Sequence, residues 1–319
     1  MMKRSRSEDS YSAMIIQCCG FCGSSDSQII KTTSRDELLA EYKQMYGLSF
    51  PQAILASNFA FDVVTTHKCR KCGTRSYCPN VVGDSLFYDY LSRHLRWYYP
   101  KDRWEFQIVA EILDKEKPQL FLEVGCGDGH FLKLARERGH EGHGSEINAR
   151  SIETLKSQGF QVSTALDRDI QERQYDAVVM FQVLEHLVDP FSFVKSIIPH
   201  VRSQGLIIVS TPVTPSCCAS IACPCLALPP HHQWMPTTLG HKMLAERFGL
   251  MCEGIIYDPP DPFQLVYGLR KGLGWLRFLL DRYESVVWRA ARVMLKGAKT
   301  LGYDWANVGH TVLVVSRKV

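Results

Sequence analysis

Apolar positions along the second half of this chain come in short runs separated by amphipathic stretches. Leu120, Phe121, Leu122, Glu123 and Val124 form one such run, the signature of a strand buried on both faces. It breaks at Gly125, Gly127 and Gly129, and a 3.6-residue period follows over 131–138. Further strand-like runs fall at 143–148, 161–165, 175–181, 205–212, 252–257 and 310–316, with helical patterns over 149–158 and 238–248. Strands that alternate with helices in this way predict an α/β fold with a doubly wound, mostly parallel sheet.

The glycine-rich turn is where that pattern acquires chemistry. Glycine at a strand-to-helix turn permits φ > 0 and lets a ligand approach the backbone, and ligands in such sheets bind beyond the carboxyl ends of the strands. A dinucleotide fingerprint needs its third glycine one residue later, where His130 stands. An acid, Glu123, lies two residues before the first glycine, and Glu146 closes the next strand 21 residues after Gly125, where a Rossmann-like fold places the carboxylate that grips ribose hydroxyls.

The order of Glu123, Gly125, Gly127 and Gly129 resembles motif I of the class I S-adenosylmethionine (SAM) dependent methyltransferases. The run 175–187, with Val183, Leu184, Glu185 and His186 near its end, is similar to motif IV of the branch containing the ubiquinone-biosynthesis O-methyltransferases. The resemblance covers 120–250 and the terminal strand. It implies a seven-stranded Rossmann-like sheet with its last strand antiparallel, methyltransferase activity, and SAM as cofactor. Glu123, Gly125, Cys126, Gly127, Asp128, Gly129, Glu146, Ile147, Leu166, Asp167, Phe181 and Gln182 are the cofactor contacts it implies.

Composition alters the picture mainly through cysteine. The chain has 319 residues, a formal charge of +4 and 12 cysteines. So mild a charge gives no reason to expect nucleic acid as partner. The first ten residues are polar, with no apolar signal-peptide core, so residues 1–15 are expected to be disordered and the chain cytoplasmic. Many cysteines in that setting point to metal rather than disulfides. Cys19-x-x-Cys22-Gly23 and Cys69-x-x-Cys72-Gly73 supply four thiolates for a tetrahedral structural Zn²⁺. The intervening stretch, about 46 residues, exceeds the roughly 15–20 of compact four-cysteine sites. The paired turns nevertheless resemble the zinc module found ahead of some sugar and small-molecule methyltransferases. Cys18 is an alternative to Cys19, and ordinary reduced thiols are the plainer reading. The longest apolar stretch, 205–230, is broken by Pro212, Pro215 and Pro224 and reads as strand plus loop.

These readings divide the chain into a ribbon-like module at 16–83, a helical linker or lid at 84–118, a core at 119–259, a helical insertion at 260–304 and a final strand at 305–319. Tyr88 and Tyr90 in the linker are candidates to touch substrate, or simply pack. Near the methyl-acceptor position, His186 is the first candidate base, with His231 and His232 next, and these histidines can instead serve packing and local backbone. Glu185 is expected to pack the following helix, with a carboxylate–histidine metal site, as the resemblance to quinone methyltransferases suggests, as its alternative. Cys217, Cys218, Cys223 and Cys225 are expected to wall a pocket rather than bind a second metal. No N-P-P-Y-type tetrapeptide follows the fourth strand, which disfavours amide and nucleobase acceptors. The expected acceptor is a small molecule methylated at oxygen or carbon, of sugar, polyketide-like or quinone-like class. RNA- or protein-directed transfer and a non-catalytic SAM- and zinc-binding role are the rivals. A basic amphipathic helix over 275–299 is expected to touch an anionic membrane surface, cover the pocket or meet a second copy of the chain.

Overall fold

The computed structural model describes residues 18–96, 98, 100–164, 172–215, 224–258, 289, 293 and 309–319. The N-terminal segment 1–15, Leu166 and Asp167, Cys217, Cys218 and Cys223, and the helix expected over 275–299 apart from Arg289 and Val293 lie outside them.

The chain enters through the first cysteine turn into β1 (Ser27–Ser34), then α1 (Arg35–Tyr46) and α2 (Gln52–Asn58). Ser34 starts α1 through a capping box: its hydroxyl accepts from Glu37 N, while the Glu37 carboxylate accepts from Ser34 N. β2 (Val63–Cys69) and β3 (Arg75–Cys78) flank the second cysteine turn. Two helices, α3 (Ser85–His94) and α4 (Trp104–Glu116), lead into the core.

The core alternates as the hydrophobic pattern requires. β4 (Phe121–Val124), α5 (His130–Glu137), β5 (Gly142–Glu146), α6 (Ala149–Ser157), β6 (Gln161–Thr164) and β7 (Tyr175–Phe181) come first. α7 (Pro190–Ile197), β8 (Val201–Pro212), the short β9 (Trp234–Met235), α8 (Thr238–Arg247), β10 (Leu250–Tyr257) and β11 (Thr311–Lys318) complete it. Seven strands form one sheet in the order β10-β11-β8-β7-β4-β5-β6. β11 runs antiparallel to both of its neighbours, and the pairs from β8 to β6 are parallel. This is the Rossmann-like seven-stranded arrangement expected above.

Every residue of β4 is buried, because apolar layers cover both faces of the sheet. On one face α4, α5 and α6 contribute Val109, Leu113, Phe131, Leu132 and Leu155. On the other, Val194, Ile197 and Leu244 from α7 and α8 share a cluster with Cys19, Phe21, Cys22, Cys69 and Cys72. The cysteine module therefore packs on the core, and its sheet, ordered β1-β2-β3-β9, takes its last strand from the core's own loop. An aromatic third cluster, with Tyr42, Phe50, Phe59 and Phe87, fills the module and reaches Cys225 and Leu228. Among the described residues no helix is long and apolar enough to cross a membrane.

Candidate active site and cysteine cluster

The sharp exit from β4 is made by backbone that only glycine adopts without strain. Gly129, at φ 69°, starts α5, and a Cβ there would lie 2.4 Å from Leu155 Cδ2. At Gly127, φ 51°, nothing lies within 4 Å of a would-be Cβ, so a ligand can approach the chain. Glu146 ties this turn to the end of β5. Its Oε2 accepts from Gly127 N at 2.8 Å, and its Oε1 accepts from Ile147 N at 2.8 Å and Asn148 N at 2.9 Å. Asp128 accepts from Ser151 Oγ at 3.0 Å. Cys126 is buried, while the Ile147 side chain is 74% exposed and presents an apolar face. Glu123 is buried with Oε2 unpartnered. Burial first, and Glu146 second, hold its carboxyl well above the ordinary range. An arriving ammonium group would supply the missing partner.

A cavity of about 520 Å³ runs from this turn to the loop after β7 and the histidine loop before β9. Phe181 and Gln182 line its middle. Gln182 holds φ 56°, its N–H donates to Ser210 O at 2.9 Å, and its side-chain amide donates to Glu105 Oε1 at 3.3 Å.

At the far end the structure brings together all three candidate bases. His186 Nδ1 lies 2.6 Å from the main-chain oxygen of His231, and the Tyr88 hydroxyl is 3.2 Å from the same nitrogen. A carbonyl only accepts, so Nδ1 carries the hydrogen and Nε2 keeps its lone pair. The same logic fixes His231: Nδ1 donates to Leu226 O at 2.7 Å, and Nε2 accepts from the Tyr98 hydroxyl at 2.8 Å. Burial depresses His186 to about 4 and His231 to about 3, and pushes His232 well below its ordinary value. The rings are therefore neutral at pH 7. Glu185 lines the same cavity, fully buried, with both carboxylate oxygens unpartnered, and burial raises it to about 8. Its Oε1 lies 3.8 Å from His186 Nε2. One ligand nitrogen from each of the three histidines falls within 4.8 Å of the others. Both nitrogens of His231 are already engaged, which favours acid–base or positioning roles over an ion.

Two lining residues are absent from the candidates read from the sequence. Arg103 supplies the cavity's cation among the described residues, and it sits at the N-cap of α4 as one arginine among several in the linker. His310 just precedes β11. A signal was present there, because a strand antiparallel to its neighbours begins at the end where they finish. Of the two linker tyrosines, Tyr88 lines the cavity, whereas Tyr90 donates to Ser49 O at 2.8 Å and packs in the module.

The four-cysteine cluster is built from two matching turns. Gly23 N donates to Cys19 O at 2.8 Å, and Gly73 N donates to Cys69 O at 2.9 Å. Cys19 N donates to Ser24 O and Cys69 N to Thr74 O, both at 2.9 Å. The sulfurs of Cys19, Cys22, Cys69 and Cys72 all lie within 4.8 Å of one another, and Cys18 stands outside, exposed. Burial raises the Cys22 thiol to about 11, a cost that a bound cation would offset.

A doubly wound sheet, a glycine turn answered by an acid at the end of the next strand, and a cavity at the carboxyl ends define a Rossmann-like α/β protein with a ligand-sized cleft. The family model described as a methyltransferase domain matches residues 95–253. The ubiquinone biosynthesis O-methyltransferase of Rickettsia conorii (strain ATCC VR-613 / Malish 7) is 23% identical over 168 residues, 48% of this chain and 57% of that protein. The small RNA 2′-O-methyltransferase of Mus musculus is 21% identical over 156 residues, 42% of this chain and 40% of that protein. The chain thus spans about half the length of these relatives. A SAM dependent methyltransferase from Archaeoglobus fulgidus superposes with a TM-score of 0.46 at 19% identity, covering 67% of this chain and 94% of that one. Over residues 95–253 the chain carries a methyltransferase domain.

Proposed function

We propose that this protein transfers the methyl group of SAM to a hydroxyl oxygen of a small-molecule acceptor. The observation that carries the reading is one continuous cavity, with the glycine turn at one end and His186, its tautomer fixed, at the other. When bound, SAM supplies an electrophilic methyl group. Glu146 accepts ribose hydroxyls, Ile147 and Phe181 offer apolar contact, and the turn 125–129 and Gln182 leave open backbone. Glu123 takes the ammonium and Arg103 the carboxylate of the amino acid head. His186 Nε2 accepts the acceptor's proton as its oxygen becomes nucleophilic, while Tyr88 and the His231 carbonyl hold the ring. The cavity walls align the reacting groups.

A zinc ion held by Cys19, Cys22, Cys69 and Cys72 is part of the same reading. A four-thiolate site leaves no open position, so its role is structural. Sugar, polyketide-like and quinone-like molecules bearing a hydroxyl fit the half-enclosed, largely apolar cavity. A ribose hydroxyl of RNA is the second reading, favoured by the likeness to the small RNA enzyme. The test is formation of S-adenosylhomocysteine from SAM with a panel of hydroxylated small molecules and short RNAs, comparing wild type with His186→Gln. Turnover on a small hydroxyl compound, lost in the variant, supports the proposal. Turnover on RNA alone selects the second reading, and SAM binding without turnover on either supports a non-catalytic role.

A further inference from the structure

The loop that carries His231 and His232 is tied to the core, where Gln233 N donates to Glu185 O at 2.7 Å, Trp234 Nε1 to Leu187 O at 2.9 Å and Thr214 N to Pro236 O at 2.9 Å. The loop is tied as well to the cysteine module. Its strand β9 pairs with β3, Trp234 opposite Ser76 and Met235 opposite Arg75. Thr237 Oγ1 donates to the carbonyl of Cys72, a member of the sulfur cluster, at 2.6 Å, and Thr237 N donates to Thr74 Oγ1 at 3.4 Å. Upstream, Gly83 N donates to Pro230 O at 2.8 Å, the Gln233 amide donates to Val81 O, and Tyr42 Oη donates to Cys225 O at 3.1 Å. Side chains interlock at the same seam. The Phe21 ring, between Cys19 and Cys22, meets Trp234 edge-on at 6.0 Å, and a Cβ on Gly20 would lie 3.0 Å from Trp234. At the cofactor end Glu146, Gly127, Ile147 and Asn148 bond among themselves, and among the described residues no bond joins these four to the module.

We infer that the four-cysteine turn is the positioning element of the acceptor end of the site, acting through Thr237 and β9 on His231 and His232, and through the His231 carbonyl on His186. The inference rests on the zinc and active-site readings above. It makes Thr237 a positioning residue for methyl transfer and makes metal occupancy a condition for acceptor binding but not for SAM binding. The direction follows from connectivity. The turns converge at the sulfur cluster, and Thr237 is bonded directly to the carbonyl of one of those cysteines.

The test uses the full chain with SAM as probe. Bound metal is counted by elemental analysis, SAM affinity is measured by calorimetry, and backbone amide exchange is followed over 231–235 and, separately, over α8. The samples are wild type, metal-stripped reduced wild type, Thr237→Val and Thr237→Ser. Thr237 also caps α8 by accepting from Gly240 N at 2.9 Å, so loss of the cap alone would loosen α8 and leave 231–235 protected. The expected result is exchange over 231–235 about tenfold faster or more in Thr237→Val, the effect of losing one buried hydrogen bond. Thr237→Val should keep its metal, Thr237→Ser should restore protection, and metal removal should reproduce the loss. SAM affinity should stay within about twofold throughout, since no SAM-facing bond is altered. Unchanged exchange over 231–235 in both perturbed proteins would overturn the inference, as would a parallel loss of SAM affinity in folded Thr237→Val. A protein that binds no metal would refute the zinc reading instead, and Thr237→Val would still decide the positioning role.

Discussion

Glu185 is fully buried at the cavity wall with neither carboxylate oxygen partnered, and this makes a quantitative prediction about stability against pH. Burial raises its pKa from the ordinary 4.5 to about 8. Below pH 4.5 the group is protonated in both states and folding costs nothing extra. As pH rises further, the unfolded chain gives up this proton while the folded chain keeps it, so the unfolded state is favoured increasingly until about pH 8. Each pH unit in that window costs about 1.4 kcal/mol. The loss reaches about 3 kcal/mol at pH 7 and about 5 kcal/mol at pH 8 and above, as upper bounds. Glu185→Gln, which is isosteric and neutral at every pH, removes the dependence. Urea unfolding of both proteins between pH 5 and pH 8.5 should give nearly equal stabilities at pH 5. The variant should then lead by a margin that grows toward pH 8. The difference between the two curves isolates Glu185 from the other buried groups that titrate nearby. Curves that stay parallel across the window, or a variant less stable at pH 8, would refute the neutral, unpartnered Glu185. In the proposed acceptor site, the corollary is that at pH 7 this residue offers a hydrogen-bond donor, beside a His186 nitrogen that can only accept.

Glu146→Ala removes the acceptor for three backbone N–H groups along with the expected ribose contact. Calorimetry should show SAM affinity weakened roughly 10- to 100-fold, since one charged hydrogen bond contributes about 1.5–3 kcal/mol. Gly129→Ala places a methyl group at φ 69° against Leu155. It should cost about 2–4 kcal/mol of stability by denaturant unfolding, from left-handed strain plus overpacking. His186 is held near 4, below its ordinary 6.5, so it stays a competent base well into acid. The pH–rate profile of methyl transfer should be flat from about pH 7 down to pH 5, below the Glu185 transition near 8, and show no inflection near 6.5. The stability that this neutral ring contributes is fully present above pH 6.5. It is lost as pH falls toward 4, because the unfolded imidazole protonates first. Chelation under reducing conditions should release one metal ion per chain and lower the melting temperature, and Cys72→Ser should do the same without chelator.

The sequence by itself determined the core. Alternating apolar runs specify which segments are strands buried on both faces, and the spacing of Glu123, Gly125, Gly129 and Glu146 is local enough to place the cofactor turn. Strand and helix bounds at β4 to β8 differ from the expected ones by a few residues at most, because periodicity weakens at element ends. The two C-x-x-C-G turns were also legible, since each knuckle is a local backbone structure. Their convergence was not: Cys22 and Cys69 are distant in sequence, and only the pairing of β1 and β2 across the intervening helices closes the cluster. Nor was the tie between that cluster and the histidine loop. β9 is two residues long and joins a sheet whose other strands lie far upstream, and two residues carry no periodic signal. His186, His231 and His232 were each visible as candidates, but neither the carbonyl that sets the His186 tautomer nor the burial that leaves Glu185 without a partner is written in residue types. Both depend on which groups the fold excludes from water, and a linear pattern of apolar and polar positions does not record that. Local chemistry fixed the cofactor end of this site; long-range packing decided the acceptor end.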